Sequence, residues 1–145
     1  MVDKTGQCLC GAVRFTAVDV PENLSICHCR MCQRWAGSAF KCVSVSNENL
    51  TVMGKENIGV FKSSDWAERA HCMKCGSALW YRVTNGRYVG GTSLAVGLLD
   101  QSDGLTVIRE YYVDYKNSVD ILPEDRVQMT KADVMAMFAP TEDEG

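Results

Sequence analysis

The stretch CLCGAVRFTAV, residues 8–18, decides the fold. From Ala12 to Val18, Val13, Phe15 and Ala17 fall on one face and Arg14 and Thr16 on the other, the period of a half-buried strand. Immediately before it, Cys8 and Cys10 form a CxC followed by Gly11. A strand that starts from two sulfurs offers half of a tetrahedral metal site, so a second pair is expected elsewhere in the chain.

That second pair is the CxxC of Cys72 and Cys75, followed by Gly76 and Ser77. A CxxC bends the chain so that both sulfurs aim at one point, and the following glycine permits the tight turn. Together Cys8, Cys10, Cys72 and Cys75 supply the four thiolates of a closed structural zinc site, with Zn–S near about 2.3 Å. Such a site staples the first strand to the second half of the chain. The competing reading, a redox CxxC of the thioredoxin type, requires a βαβ context that the sequence lacks.

Around residues 8–18 the pattern is mostly strand. Further candidates are LSICH (24–28), AFKCVSV (39–45), NLTVM (49–53), IGVFKS (58–63), ALWYRV (78–83) and TVIREYYV (106–113). Turn-rich pieces such as SNEN (46–49), TNGR (84–87) and DQSDG (100–104) separate them. Many short strands at close spacing predict a mainly β fold, a sandwich or open barrel of antiparallel strands. One short C-terminal helix is expected, capped by Thr130 with Asp133 three residues on. Val134, Met137 and Phe138 share a face of it, Pro140 stops it, and the acidic tail TEDEG is read as a solvated end.

With 145 residues, a single domain spanning 1–145 is the expectation. The chain is 46% hydrophobic and 23% charged, ordinary for a globular protein. The formal charge of −3, with scattered Lys and Arg, disfavours a nucleic-acid partner. The opening MVDKTGQ has no apolar h-region and nowhere do about 18 apolar residues run together, so neither export nor membrane insertion is indicated. A cytoplasmic location follows, in which the eight cysteines stay reduced and serve metal or catalysis.

Cys27, Cys29 and Cys32 are packed into CHCRMC. Three protein ligands and a fourth open position is the arrangement of catalytic zinc. Two alternatives stand beside it: His28, His71 or Cys42 closes the trio, or the trio mixes with the other pairs. Three thiolates more than neutralise Zn²⁺, which makes the metal a weak Lewis acid for activating water. Taking up a small thiol as thiolate suits such a site better, and points to sulfur chemistry.

The ordered set CLCGAVRF (8–15), CHCRMCQRWAGSAF (27–40) and HCMKCGSALWYR (71–82) resembles the glutathione-dependent formaldehyde-activating enzyme family, which also includes centromere protein V. GGTSLAVGLLD (90–100) and REYYVDYKNSVDILPED (109–125) look like that family's later elements, so the resemblance runs from about Gly6 to about Pro123. It implies a fold similar to the Mss4-like zinc-binding fold. It implies two zinc ions per chain: a structural one on Cys8, Cys10, Cys72 and Cys75, and a catalytic one on Cys27, Cys29 and Cys32. The implied activity is that of a carbon–sulfur lyase joining formaldehyde to glutathione as S-hydroxymethylglutathione. The chain departs from the family at His71, where an aromatic residue is usual, and at Lys116–Val119, where a Lys-Ala-Pro-Trp type sequence is common. The missing Trp of the later segment bears on the pocket or its lid.

Among single residues, His28 is expected to point away from its flanking cysteines and support them through a hydrogen bond. Cys42 reads as a core thiol, and His71 as a surface or supporting residue. Arg30, Arg34 and Lys41 are candidate partners for an anionic tripeptide, Trp35 a candidate pocket wall, and Gly37 and Ser38 a turn after the trio. Two non-catalytic alternatives are a zinc-stabilised protein-binding module and a glutathione carrier.

Overall fold

A computed structural model describes residues 1–139. Pro140 and the tail TEDEG, read above as helix stop and solvated end, lie outside the described residues. Within them the chain is mostly β, with ten strands and two α-helices. β1 (Val2–Gln7), β2 (Arg14–Val20) and β5 (Leu50–Met53) form a three-stranded antiparallel sheet in the order β1-β2-β5. A seven-stranded sheet runs in the order β10 (Thr106–Tyr111), β3 (Asn23–Cys27), β4 (Phe40–Ser46), β9 (Gly91–Ala95), β8 (Ala78–Val83), β7 (Ala67–Cys72), β6 (Ile58–Ser64).

The alternation in residues 12–18 does what its period requires. Val13, Phe15 and Ala17 are all at most 1% exposed, and they pack with Val43, Leu79 and Leu94 of the larger sheet. The core therefore lies where the two sheets meet. Gly6 lets β1 close over it, because a Cβ there would overlap the Leu98 carbonyl and the Phe15 ring. Cys8 and Cys72 belong to the same apolar cluster, so the paired cysteines stand at its edge.

Two features differ from the expected all-antiparallel arrangement with a single helix. β10 pairs parallel to β3. The chain leaves β9, passes back through a Gly6–Leu99 bridge, and enters β10 from the end at which β3 begins, where Thr106 N donates to Glu22 O at 3.2 Å. The second feature is an additional helix, α1 (Arg30–Ala36), inside the trio motif. It has only seven residues, too few to show a helical period. Its N-cap is Cys29, outside the Ser, Thr, Asp and Asn group that marks helix starts. Gly37 ends it in the left-handed region at φ 80°, which accounts for the turn after the trio.

The C-terminal helix α2 (Lys131–Met137) carries the expected capping box: Asp133 N donates to Thr130 Oγ1 at 3.1 Å and Thr130 N to Asp133 Oδ2 at 2.9 Å. Its apolar face, Val134, Met137 and Phe138, is exposed rather than packed. No helix among the described residues is long and apolar enough to cross a membrane.

Candidate metal centres and the cavity beside them

The first centre is built from two turns of the same design. Cys8 N donates to Val13 O at 3.0 Å and Gly11 N to Cys8 O at 3.1 Å; Cys72 N donates to Ser77 O at 3.0 Å and Gly76 N to Cys72 O at 2.8 Å. Gly11 and Gly76 both adopt φ 78°, the conformation that tight turns reserve for glycine. Leu9 N donates to Ser77 Oγ at 3.0 Å and ties one turn to the other. The four sulfurs of Cys8, Cys10, Cys72 and Cys75 lie within 4.8 Å of one another.

A tetrahedron of sulfurs at about 2.3 Å from a central ion has edges of about 3.8 Å. The Cys8–Cys10 and Cys10–Cys72 Sγ separations are 3.6 and 3.8 Å. Val13 N donates to Cys8 Sγ at 3.3 Å, and the Ser77 hydroxyl, 3.2 Å from Cys75 Sγ, leads the hydrogen bonds that hold that thiol down to about 5. Within the same group the Cys10 thiol is pushed up to about 11, by burial and by its neighbouring sulfurs. The donor set and its spacing fit a closed four-thiolate metal site.

The second centre holds Cys27 at the end of β3, Cys29 at the helix cap and Cys32 in the first turn of α1. The strand-to-helix turn gathers their sulfurs within 4.8 Å of one another, and among the described residues this group stops at three. His28, His71 and Cys42 are not part of it, nor are its members shared with the first centre. Cys32 N donates to Cys29 Sγ at 3.3 Å, so the same sulfur caps the helix. A hydrogen bond from Cys27, aided by the Arg69 guanidinium and opposed by burial, holds the Cys32 thiol down to about 5. The Cys27 thiol is pushed up, first by its hydrogen bond with Cys32 and then by burial. None of the eight cysteines is in a disulfide.

All three line a cavity of about 420 Å³, with Phe40, Trp66, Tyr81 and Tyr112 among its walls. This volume is in the range of small-molecule sites, about 300–1,000 Å³. Cys42 also lines it, buried beside the trio, and burial pushes its thiol up to about 11. That is the environment of a packed, inert thiol.

His28 is 2% exposed and its ring turns away from the trio. Its Nε2 lies 2.8 Å from Glu110 Oε1, and its Nδ1 lies 3.7 Å from Asp120 Oδ2. Gln33 Nε2 donates to both His28 O at 2.6 Å and Tyr115 O at 3.0 Å. These contacts fasten the trio to β10 and the segment after it. Lys116, in the stretch that departs from the family pattern, lies 3.6 Å from Glu110, and Asn117 Oδ1 accepts from Val119 N at 3.3 Å.

Arg30, Arg34 and Lys41 are exposed and do not line the cavity. The cation that does is Arg69 on β7, a residue the sequence reading did not single out. Its Nη1 donates to Cys32 Sγ at 3.4 Å, and its guanidinium lies 5.1 Å from the Trp35 ring centroid and 5.0 Å from that of Tyr81. Trp35 thus works behind the cavity wall, edge-on to Phe40 at 5.0 Å. His71 pairs with Gly59 across β6 and β7 and touches no member of the trio.

Comparison with known proteins gives a consistent result. The profile of a family described as glutathione-dependent formaldehyde-activating enzyme matches residues 3–115. An uncharacterized lyase of Schizosaccharomyces pombe is 38% identical over 87 residues, which are 60% of this chain and 63% of that protein. A Halomonas elongata protein, provisionally named a glutathione-dependent formaldehyde-activating enzyme, is 34% identical over 83 residues, covering 52% of this chain and 53% of the other. The chain therefore spans less than two thirds of the length of these curated relatives. In fold, the crystal structure of a Rhodobacter sphaeroides protein matches with TM-score 0.57 at 21% identity, over 72% of this chain and 99% of that one.

Proposed function

Because the chain belongs to the glutathione-dependent formaldehyde-activating enzyme family, we propose that it is a zinc-dependent carbon–sulfur lyase acting on adducts of a small thiol, glutathione, with formaldehyde or a related aldehyde. In this reading Cys8, Cys10, Cys72 and Cys75 hold a structural zinc, and Cys27, Cys29 and Cys32 hold a catalytic one. Zinc at the trio would supply a preference for the ionised form of an incoming thiol. The observation that carries the reading is the contrast between the centres. One has four sulfurs at the edge of the core, and the other has three sulfurs on the wall of a cavity.

In the synthetic direction the thiolate sulfur forms a bond to the aldehyde carbon while the carbonyl pair moves to oxygen. The proton given up by the thiol ends on that oxygen, and the reverse reaction breaks the same carbon–sulfur bond. The chain's own residues position these events. The Cys29 cap fixes the trio on α1, and the His28–Glu110 contact holds it against β10. The aromatic walls limit water around the reacting atoms. A cytoplasmic location, proposed from the reduced cysteines, keeps both centres and substrate in thiol form.

The test is exchange NMR on a mixture of formaldehyde and glutathione with the zinc-loaded protein. The lyase reading expects interconversion with the hydroxymethyl adduct to be faster than in buffer, and the acceleration to vanish in Cys29→Ser and Cys32→Ser. Thiol binding without acceleration would make the protein a glutathione carrier. One observation favours a second, binding-module reading: the stretch from Val113 to Phe138 exposes Val119, Ile121, Leu122, Val127 and the α2 face. Absence of both acceleration and thiol binding would leave that reading in front.

A further inference from the structure

Arg69 is 4% exposed, yet no carboxylate forms an ion pair with it among the described residues. A guanidinium cannot give up its proton in a protein, so its charge is buried whatever surrounds it. A buried charge needs a counter-charge or a fully satisfied set of hydrogen bonds. Arg69 lacks the latter, because its Nε is buried and has no partner. What it has is the Cys32 sulfur at 3.4 Å from Nη1, and two ring faces, Trp35 and Tyr81, that fix its plane. One side of the aromatic clamp comes from register, since Tyr81 stands directly across from Arg69 on β8, and the other from Trp35 on α1. A stacked, pre-oriented guanidinium loses little further freedom when it serves an anion.

We propose that Arg69 is the positioning counter-ion of the Cys27–Cys29–Cys32 centre, there to offset the charge that an incoming substrate sulfur adds, so that the site takes a thiolate in preference to a neutral ligand. The inference rests on the thiol-handling reading above. Three thiolates and a divalent ion leave one net negative charge, and a fourth thiolate makes it two. Repulsion of that kind is costly in a cavity with few polar walls. The guanidinium cancels one of those charges. A neutral ligand such as imidazole adds no charge and gains nothing from this arrangement.

Cobalt(II) substituted into the full chain reports the ligands, since each bound thiolate adds sulfur-to-cobalt charge-transfer intensity. Titration with glutathione should raise that band in the wild type, and S-methylglutathione should not. In Arg69→Gln the glutathione concentration for half the rise should increase about ten- to a hundredfold, the range for losing a hydrogen bond to a charged group. Imidazole binding, followed by its own shift of the cobalt bands, should stay within about threefold of wild type. Arg69→Lys keeps the charge but loses the stacking that fixes its plane, so its half-rise glutathione concentration should lie between those of wild type and Arg69→Gln. If Arg69→Gln fails to fold, the lysine variant carries the test, and a loss there as large for imidazole as for glutathione would overturn a charge role. An unchanged glutathione titration in Arg69→Gln would overturn the proposal while leaving the lyase reading intact. Equal weakening of glutathione and imidazole would reduce Arg69 to scaffolding. No rise in the wild type would remove both the thiol reading and the proposal.

Discussion

His28 lies between two cysteines in sequence, and in an extended segment that placement alone turns its ring to the opposite side. The structure uses the orientation to reach Glu110, whose carboxyl is held below the usual glutamate range first by the His28 hydrogen bond and then by Lys116. A carboxyl with a depressed folded-state pKa adds stability above its unfolded value, about 4.3, and loses it as pH falls through the folded value. His28→Gln should therefore return the Glu110 NMR titration midpoint towards about 4.3. It should also cost stability at neutral pH that disappears at the acid end; an unmoved midpoint would deny the contact its role. The histidine was legible because its neighbours in sequence decide its direction. Arg69 was not, because its partner Cys32 is 37 positions away. The available signal was faint: an arginine on the same strand face as Ala67, in a stretch where Ala67 and Ala70 are also buried. The three cations nearest the trio in sequence turned outward instead.

At the level of elements, α1 explains why the two centres should respond differently to loss of a ligand. Cys29 caps the helix through its sulfur, and a serine hydroxyl at the same place is a good cap. Cys29→Ser should therefore keep the fold, within about 1 kcal/mol of local stability, while losing the second metal. Cys72 is fully buried in the core cluster, and its sulfur, 3.8 Å from that of Cys10, brings the mid-chain turn to the N-terminal one. A structural zinc contributes about 10–16 kcal/mol in model peptides, against a whole-domain stability of about 5–15 kcal/mol. Cys72→Ser should give insoluble or loosely packed protein, and equal thermal melts for the two variants would contradict distinct roles. Helix α2 offers a milder case. Thr130→Ala removes one arm of the capping box and should cost about 1 kcal/mol locally, seen as faster amide exchange in Lys131–Met137 with the global melt unchanged. Strands with clear alternation or turn boundaries, β2 and β8 above all, were readable from sequence. β1 (VDKTGQ), β7 (AERAHC) and β9 (GTSLA) were not, since they are short of β-branched and aromatic residues and owe their conformation to neighbouring strands.

Across the whole molecule, seven cysteines separated by up to 67 positions fall into a group of four and a group of three, with Cys42 left in the packing. Motif spacing suggested the division while leaving mixing of the trio with the other pairs open. It gave no sign of the cavity, because its walls come from β4, β6, β7, β8, β9 and the segment after β10. The parallel return of β10 brings Tyr111 and Tyr112 to that cavity, and long-range connection of this kind leaves no local pattern. In the function proposed above, the larger group is closed and the smaller one accepts sulfur from a substrate. Zinc K-edge X-ray absorption of the fully loaded native protein, before and after glutathione, measures this directly. The claim predicts two zinc ions per chain and a mean coordination that rises from about three and a half sulfurs to about four, with S-methylglutathione leaving it unchanged. A mean already near four without glutathione, or one that stays near three and a half with it, would contradict the claim.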